Sequence, residues 1–207
     1  IFLFSIQLVK SSTDYPVEWW LSEGIDKSKV ADWEILPDKG EIGKTVILSK
    51  RNELGILSNF APTPVKYENK KYASLEGAWQ SMKYPEGRHD NRYGSDTLPH
   101  TREQVEQMSG FEAKKAGGLA SKLMKKYGVN FVSYKGKKII YRTESKGEHY
   151  KLIRNMMQAK LNQNKEVESI LKSTGKLILL PDHHYSGKYV PPAWKYYEIW
   201  MDIRENL

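Results

Sequence analysis

The segment Ser74-Leu75-Glu76-Gly77-Ala78-Trp79-Gln80-Ser81-Met82-Lys83 carries a carboxylate, a carboxamide and an ammonium at offsets of four and three. At about 100° per residue on a helix, Leu75, Ala78, Trp79 and Met82 share an apolar arc that should face a core. Glu76, Gln80 and Lys83 form a narrow polar stripe directly beside that arc, with Trp79 at the boundary. A polar stripe that adjoins a buried face can stand at the lip of a cleft or inside one. There a carboxylate serves as a general acid or base. An ammonium one or two turns away can neutralise it, hold a phosphate, or attack a sugar carbonyl once desolvated. On spacing alone, Glu and Lys at helical intervals form a solvated face, so the surroundings of the helix decide.

Three other groups of residues invite a chemical reading. Asp182-His183-His184 offers ligand types for a metal, but adjacent side chains on an extended segment point to opposite sides. His89, His100 and His149 show no ligand spacing. No metal is expected, and a loop supporting the site is the better role for 182–187. Gly117-Gly118 lies in a helical pattern with no strand before it, which does not fit a dinucleotide fingerprint. Close packing of another element or the approach of a substrate explains these glycines. The stretch from Lys114 to Lys138 holds eight lysines interleaved with Tyr127, Phe131 and Tyr134. A nucleic-acid contact surface and a solvated face share that composition.

The elements that must position these residues follow from local pattern. Thr45 to Leu48 reads as a strand, and residues 64–72 as a hairpin around Glu68-Asn69-Lys70. Ser74 caps a helix that runs to about Tyr84, where Pro85 and Gly87 stop it. Residues 85–103 are polar and rich in turn formers, which predicts a long functional or mobile loop. Ser109-x-x-Glu112 and Ser145-x-x-Glu148 have capping-box form. They predict helices ending near Gly128 and Leu161, with an extended, turned segment over 129–141 between them. Asn164 caps a short helix closing at Thr174-Gly175, Leu177 to Leu180 is a buried strand, and Pro191-Pro192 introduces a last helix over 193–205. Ile1 to Val9 reads as a buried strand. Trp19, Trp20 and Trp33 in the irregular segment 10–44 are expected to seal a core edge. Short strands mixed with longer helices, without regular alternation, predict an α+β fold with helix in excess.

Composition sets the outer bounds. The 207 residues suffice for one sizeable core, and 39% apolar with 28% charged residues excludes a disordered chain. No apolar run approaches the roughly 18–20 residues that a membrane helix needs. The chain has no cysteine, which excludes disulfides, thiolate catalysis and sulfur-bound zinc, and fits a cytoplasmic location. A net charge of +8 favours an anionic partner such as a phosphorylated nucleotide, DNA or RNA.

The order of these segments resembles the NADAR (YbiA-like) family. The carrying residues are Leu57-Ser58-Asn59-Phe60, then Ser74, Glu76, Trp79, Gln80 and Lys83, then the helix end at Gln158 to Asn164. Ile170 to Gly175 and Asp182 to Gly187 complete the set. Gly77 stands where the family usually has His, and Ser186 where it usually has Trp. The resemblance covers about residues 45–205, which divides the chain into a Trp-rich extension, 1–44, and an N-glycosidase-like domain, 45–207. It implies cleavage of a bond between ribose and a base nitrogen, in ADP-ribose attached to guanine of nucleic acid or in ribosylamino-pyrimidine intermediates of riboflavin synthesis. A non-catalytic module that binds ADP-ribose or nucleic acid is the competing class. Glu76 and Lys83 are the implied catalytic pair. Ser58, Asn59, Phe60, Trp79, Gln80, Lys160, Asp182, Tyr185 and Gly187 are the implied substrate contacts, and no cofactor is implied.

Overall fold

A computed structural model of the chain describes residues 14–185 and 189–207. The strand expected over Ile1–Val9, together with Ser186 and Gly187, lies outside the described residues. The fold is α+β with helix in excess, and no described helix is long and apolar enough to cross a membrane.

The strands pair in twos. β1 (Thr45–Ile47) lies parallel to β6 (Ile178–Leu180), with Val46 opposite Leu179. β2 (Val65–Tyr67) and β3 (Lys70–Tyr72) form an antiparallel hairpin, as do β4 (Phe131–Tyr134) and β5 (Lys137–Ile140). The second hairpin reverses at Lys135-Gly136, both at positive φ (50° and 73°), a backbone that matches the twist of the flanking strands.

Helix α1 (Leu75–Ser81) occupies the middle of the molecule. Ser74 caps it: its Oγ accepts from the Gly77 N–H at 2.9 Å and donates to the Met108 carbonyl at 2.9 Å. The helix ends three residues earlier than its pattern predicts. The Lys83 and Tyr84 N–H groups turn to the carbonyls three residues back, at 3.2 and 2.9 Å, which tightens the last turn. Around α1 pack α2 (Arg102–Glu106), α3 (Gly110–Lys126) and α4 (Glu148–Gln163), while α5 (Lys165–Ser173) and α6 (Tyr196–Arg204) close the other side. A Cβ on Gly77 would stand 2.4 Å from the Met108 carbonyl oxygen and 2.9 Å from that of Val105. The helix therefore lies against bare backbone there, and no imidazole fits at this position.

Two local expectations need correction. A capping box forms at Thr101 and Gln104, a Thr-x-x-Gln pattern at the start of α2, a short helix not expected where residues 85–103 read as loop. Ser109 precedes α3 without a side-chain cap bond, and the residue before α4 is Gly147, not Ser145. The stretch 85–101 is a long loop as expected, without helix or strand, but it is fastened down. Its Tyr93 is buried, and Arg92 bonds Asp90, Ser133 and the Met82 carbonyl, so the segment is tied to the body. No residue of 85–103 borders the main cavity.

Residues 14–44 share the core with the rest. Trp19 and Trp20 are buried beside Val46 and Leu48, and their indole N–H groups reach Glu53 (2.6 Å) and the Thr45 carbonyl (2.8 Å). Trp33 departs from the expectation for all three tryptophans: it is 42% exposed and stands on a cavity rim.

Candidate active site

The segment Ile56 to Phe60 is held by every element around it. Five consecutive carbonyls accept hydrogen bonds from the interior: Ile56 from Lys160 Nζ (2.7 Å), Leu57 from the Trp200 indole (2.6 Å), and Ser58 from Lys160 Nζ again (3.1 Å). Asn59 accepts from the Glu76 N–H (2.9 Å) and Phe60 from the Gly110 N–H (3.1 Å). Backbone polar groups away from water must be paired, and here the pairing fixes where Ser58, Asn59 and Phe60 present their side chains.

Those side chains border a cavity of about 510 Å³, a size suited to a small organic ligand. Glu76, Trp79, Gln80 and Lys83 line its inner end. The polar stripe of α1 is therefore buried and not solvated: Glu76 is 4% exposed, Gln80 1% and Lys83 8%. Gln80 Nε2 donates to Glu76 Oε1 at 2.6 Å, which fixes the carboxylate. Gln80 can lie there because position 117 is glycine, since a Cβ would fall 1.6 Å from Gln80 Oε1. Gly118, next in α3, borders the cavity with nothing within 4 Å of where a Cβ would stand.

Lys83 donates to Ser121 Oγ at 3.0 Å, and its ammonium lies 5.0 Å from the Trp79 ring centroid. Burial pulls its pKa down to about 7. The charge of Glu76 opposes that shift, and the positive charges of Lys114 and Arg142 add to it. Among the described residues lining the cavity Glu76 is the one acidic group, whereas Lys50, Lys114 and Arg142 are cationic. The site thus joins one buried carboxylate, one amine near neutrality and a cationic approach, an arrangement suited to acid–base or nucleophilic chemistry on an anionic substrate.

An imidazole is present after all, but from another helix. His149, in the first turn of α4, is buried against Trp79 with ring centroids 4.6 Å apart. Burial, and next the charge of Lys83, lower its pKa to about 4, so it is neutral at pH 7. Its Nε2, Asn59 Oδ1, Gln80 Oε1 and the Trp194 indole N–H have no hydrogen-bond partner among the described residues. All four residues border the cavity. Natural proteins rarely leave such atoms unpaired, and these four supply acceptors and donors for a polar ligand. Nothing in the sequence marks His149, because its relation to α1 exists only through tertiary packing.

The structure gathers Ser58, Asn59, Phe60, Glu76, Trp79, Gln80, Lys83 and Tyr185 on one cavity. Two expected contacts stand behind it instead. Lys160 is wholly buried beneath the Ile56–Ser58 turn and is spent on two carbonyls. Asp182 is buried, paired with Lys50 and 3.0 Å from His183 Nδ1, both of which do face the cavity. Burial would raise the Asp182 carboxyl, but the His183 hydrogen bond and the Lys50 charge outweigh it and hold the pKa below the usual value. Gly187 falls outside the described residues. Tyr185 reaches the cavity with its hydroxyl donating to the Trp194 carbonyl at 2.9 Å. Among the described residues no group of three or more His, Asp or Glu side chains is placed to hold a metal ion. Of the eight lysines between 114 and 138, Lys114 borders the cavity, while Lys126 and Lys135 pair with Asp96 and Glu68.

No model of a known protein family matches the chain, and no curated protein matches it. The NMR structure of the E. coli protein YbiA is similar in fold, with a TM-score of 0.49 and 19% sequence identity. The likeness covers 79% of this chain and 84% of that one.

Proposed function

We propose that the protein is an N-glycosidase that cleaves the bond between ribose C1′ and a base nitrogen, with ADP-ribose joined to guanine in nucleic acid as the preferred substrate. One observation carries the reading. Glu76 and Lys83 are both withdrawn from water and both border the same cavity, with Lys114 and Arg142 available to a phosphate. The resemblance of the Ser58-Asn59-Phe60 and Ser74–Lys83 segments to the NADAR pattern supports the same chemistry.

Cleavage moves the C1′–N electron pair onto the base nitrogen, and water supplies both the hydroxyl that ends on C1′ and, relayed through Glu76, the proton that ends on that nitrogen. Positive charge gathers on C1′ and the ring oxygen in the transition state. The Glu76 carboxylate, oriented by Gln80, stabilises that charge and accepts the proton of the attacking water. A second route uses Lys83. A pKa near 7 leaves much of the amine uncharged at neutral pH, so it can attack C1′, release the base and form an imine with the opened sugar. Water then hydrolyses the imine and returns the amine. Asn59 Oδ1 and His149 face the same space as hydrogen-bonding groups for the ribose.

The test is release of ADP-ribose from guanine-ADP-ribosylated DNA by wild type and by Glu76→Gln. Wild type should release it, and the variant should be slower by roughly 10²–10⁴-fold, the usual worth of a general acid or base. Activity confined to ribosylamino-pyrimidine phosphates would replace the substrate and keep the reaction. Tight binding of ADP-ribose without hydrolysis of either substrate would make the protein a binding module. Full turnover by Glu76→Gln would remove Glu76 from the mechanism.

A further inference from the structure

The outer end of the cavity differs from its floor. Trp33 and Phe111 are 42% and 61% exposed, yet both line the cavity together with Phe60. Their rings form a continuous aromatic edge, with Trp33 and Phe111 centroids 6.0 Å apart and Phe60 set edge-on to Phe111 at 5.2 Å. Cations attend this edge. Lys50 Nζ lies 5.1 Å from the Phe60 centroid and 5.9 Å from that of Trp33. Lys114 follows Phe111 by three residues on α3, hence on the same face. It is exposed and makes no ion pair among the described residues.

Trp33 belongs to the segment that the family resemblance leaves unexplained, and its backbone is firmly held. The His184 N–H donates to the Trp33 carbonyl at 3.0 Å, and the Ile35 N–H donates to the Asp182 carbonyl at 2.8 Å. Arg51 grips the Glu34 carboxylate with two bonds, at 2.6 and 2.7 Å. Core packing does not require this ring to be where it is, since more than two-fifths of its surface remains open. A large aromatic face held rigidly in water beside cations is suited to stacking on a flat ring joined to a negatively charged group.

We propose that Trp33, Phe60 and Phe111, with Lys114 beside them, form a stacking subsite for an unpaired nucleobase whose attached phosphate Lys114 attracts. This rests on the reading that the cavity takes a phosphorylated ribose substrate. The substrate then spans the cavity, with its reacting sugar at Glu76 and Lys83 and a second base at the aromatic rim. Two sources supply that chemistry: a neighbouring nucleotide of a single strand, or the far end of a free dinucleotide-like molecule.

The experiment measures binding, not turnover, so that its outcome is independent of catalysis. A fluorescein-labelled thymidine tetranucleotide, the same strand with all bases removed, and AMP as competitor are titrated against wild type, Trp33→Ala, Trp33→Phe and Phe111→Ala. Wild type should bind the base-bearing probe at least about tenfold more tightly than the abasic strand. Trp33→Ala and Phe111→Ala should abolish that preference while leaving abasic binding unchanged, and Trp33→Phe should restore most of it. Competition by AMP at a concentration similar to the strand's identifies a free nucleotide end as sufficient, whereas a strand that outcompetes AMP identifies the neighbouring nucleotide. Equal affinity of wild type for base-bearing and abasic strands would overturn the proposal, as would a Trp33→Ala protein that keeps the preference. A wild type that discriminates bases but hydrolyses nothing would sink the enzyme reading and leave the rim standing.

Discussion

Lys83 and Lys160 are the same side chain in the same electrostatic state, used for opposite purposes. Burial pulls both down to about 7. Lys160 spends its hydrogens on two carbonyls, has no exposed surface, and holds the Ile56–Ser58 turn from behind. Lys83 donates to one hydroxyl, lies over Trp79, and borders a cavity that also holds a carboxylate. A perturbed pKa is therefore not a mark of a functional residue by itself. What separates the two is whether the amine has a partner it cannot leave, and whether a ligand can reach it.

The largest test of that contrast is Lys83→Met. Turnover in the ADP-ribose release assay should fall by roughly 10³-fold if the imine route operates, since that route needs the amine, and by far less if water attacks directly with Glu76 as base. Far-ultraviolet circular dichroism should be unchanged. Trapping with cyanoborohydride during turnover should add the sugar to Lys83 if the imine route operates, and Lys160 should stay unmodified. A sugar adduct on Lys160 would break the comparison.

Lys160→Met should act on stability instead. It leaves the Ile56 carbonyl without its donor and weakens the hold on Ser58, at about 1–3 kcal/mol for each unpaired group. Relief of the buried charge offsets part of that, so a net loss of about 1–3 kcal/mol is expected in urea unfolding. A variant as stable as wild type would show that the turn holds itself.

The pH dependence of stability should reflect both lysines. Each keeps its proton to about 10.5 when unfolded and loses it near 7 when folded. Between those values the unfolded state binds more protons, so stability rises with pH from about 7 toward 10.5 and is flat in this respect below 7. The slope should approach a tenfold change in the folding equilibrium per pH unit for each lysine. Each Met variant should remove its own share, and identical slopes in wild type and variants would contradict the assignment. His149 acts lower on the scale: its folded value near 4 against 6.5 makes stability fall as pH drops through that window.

The smallest expected effect is that of Gly117→Ala. Its Cβ displaces the Gln80 carboxamide, the far end of a flexible side chain, and so loosens the bond that orients Glu76. Turnover should drop by about tenfold while urea stability changes by less than about 1 kcal/mol. A large loss of stability with unaltered turnover per folded molecule would assign Gly117 to packing and not to the site.

Local periodicity determined much of this protein without any fold. The stripe of Glu76, Gln80 and Lys83 beside an apolar arc, the Ser74 cap, the Lys135-Gly136 turn and most helices and strands are set by residues within a few positions of one another, and the structure has them. Periodicity is silent on what an element meets. It could not show that α1 sits at the centre, so that its polar stripe is buried and not solvated. It could not tell Lys83 from Lys160, nor place Asp182 behind the wall. His149 and Trp33 reach the cavity from segments far along the chain, by helix packing and by the bonds of 33–35 to 182–184. Burial, and with it the charge state of an amine or imidazole, is a property of neighbours distant in sequence, and only the tertiary structure supplies them.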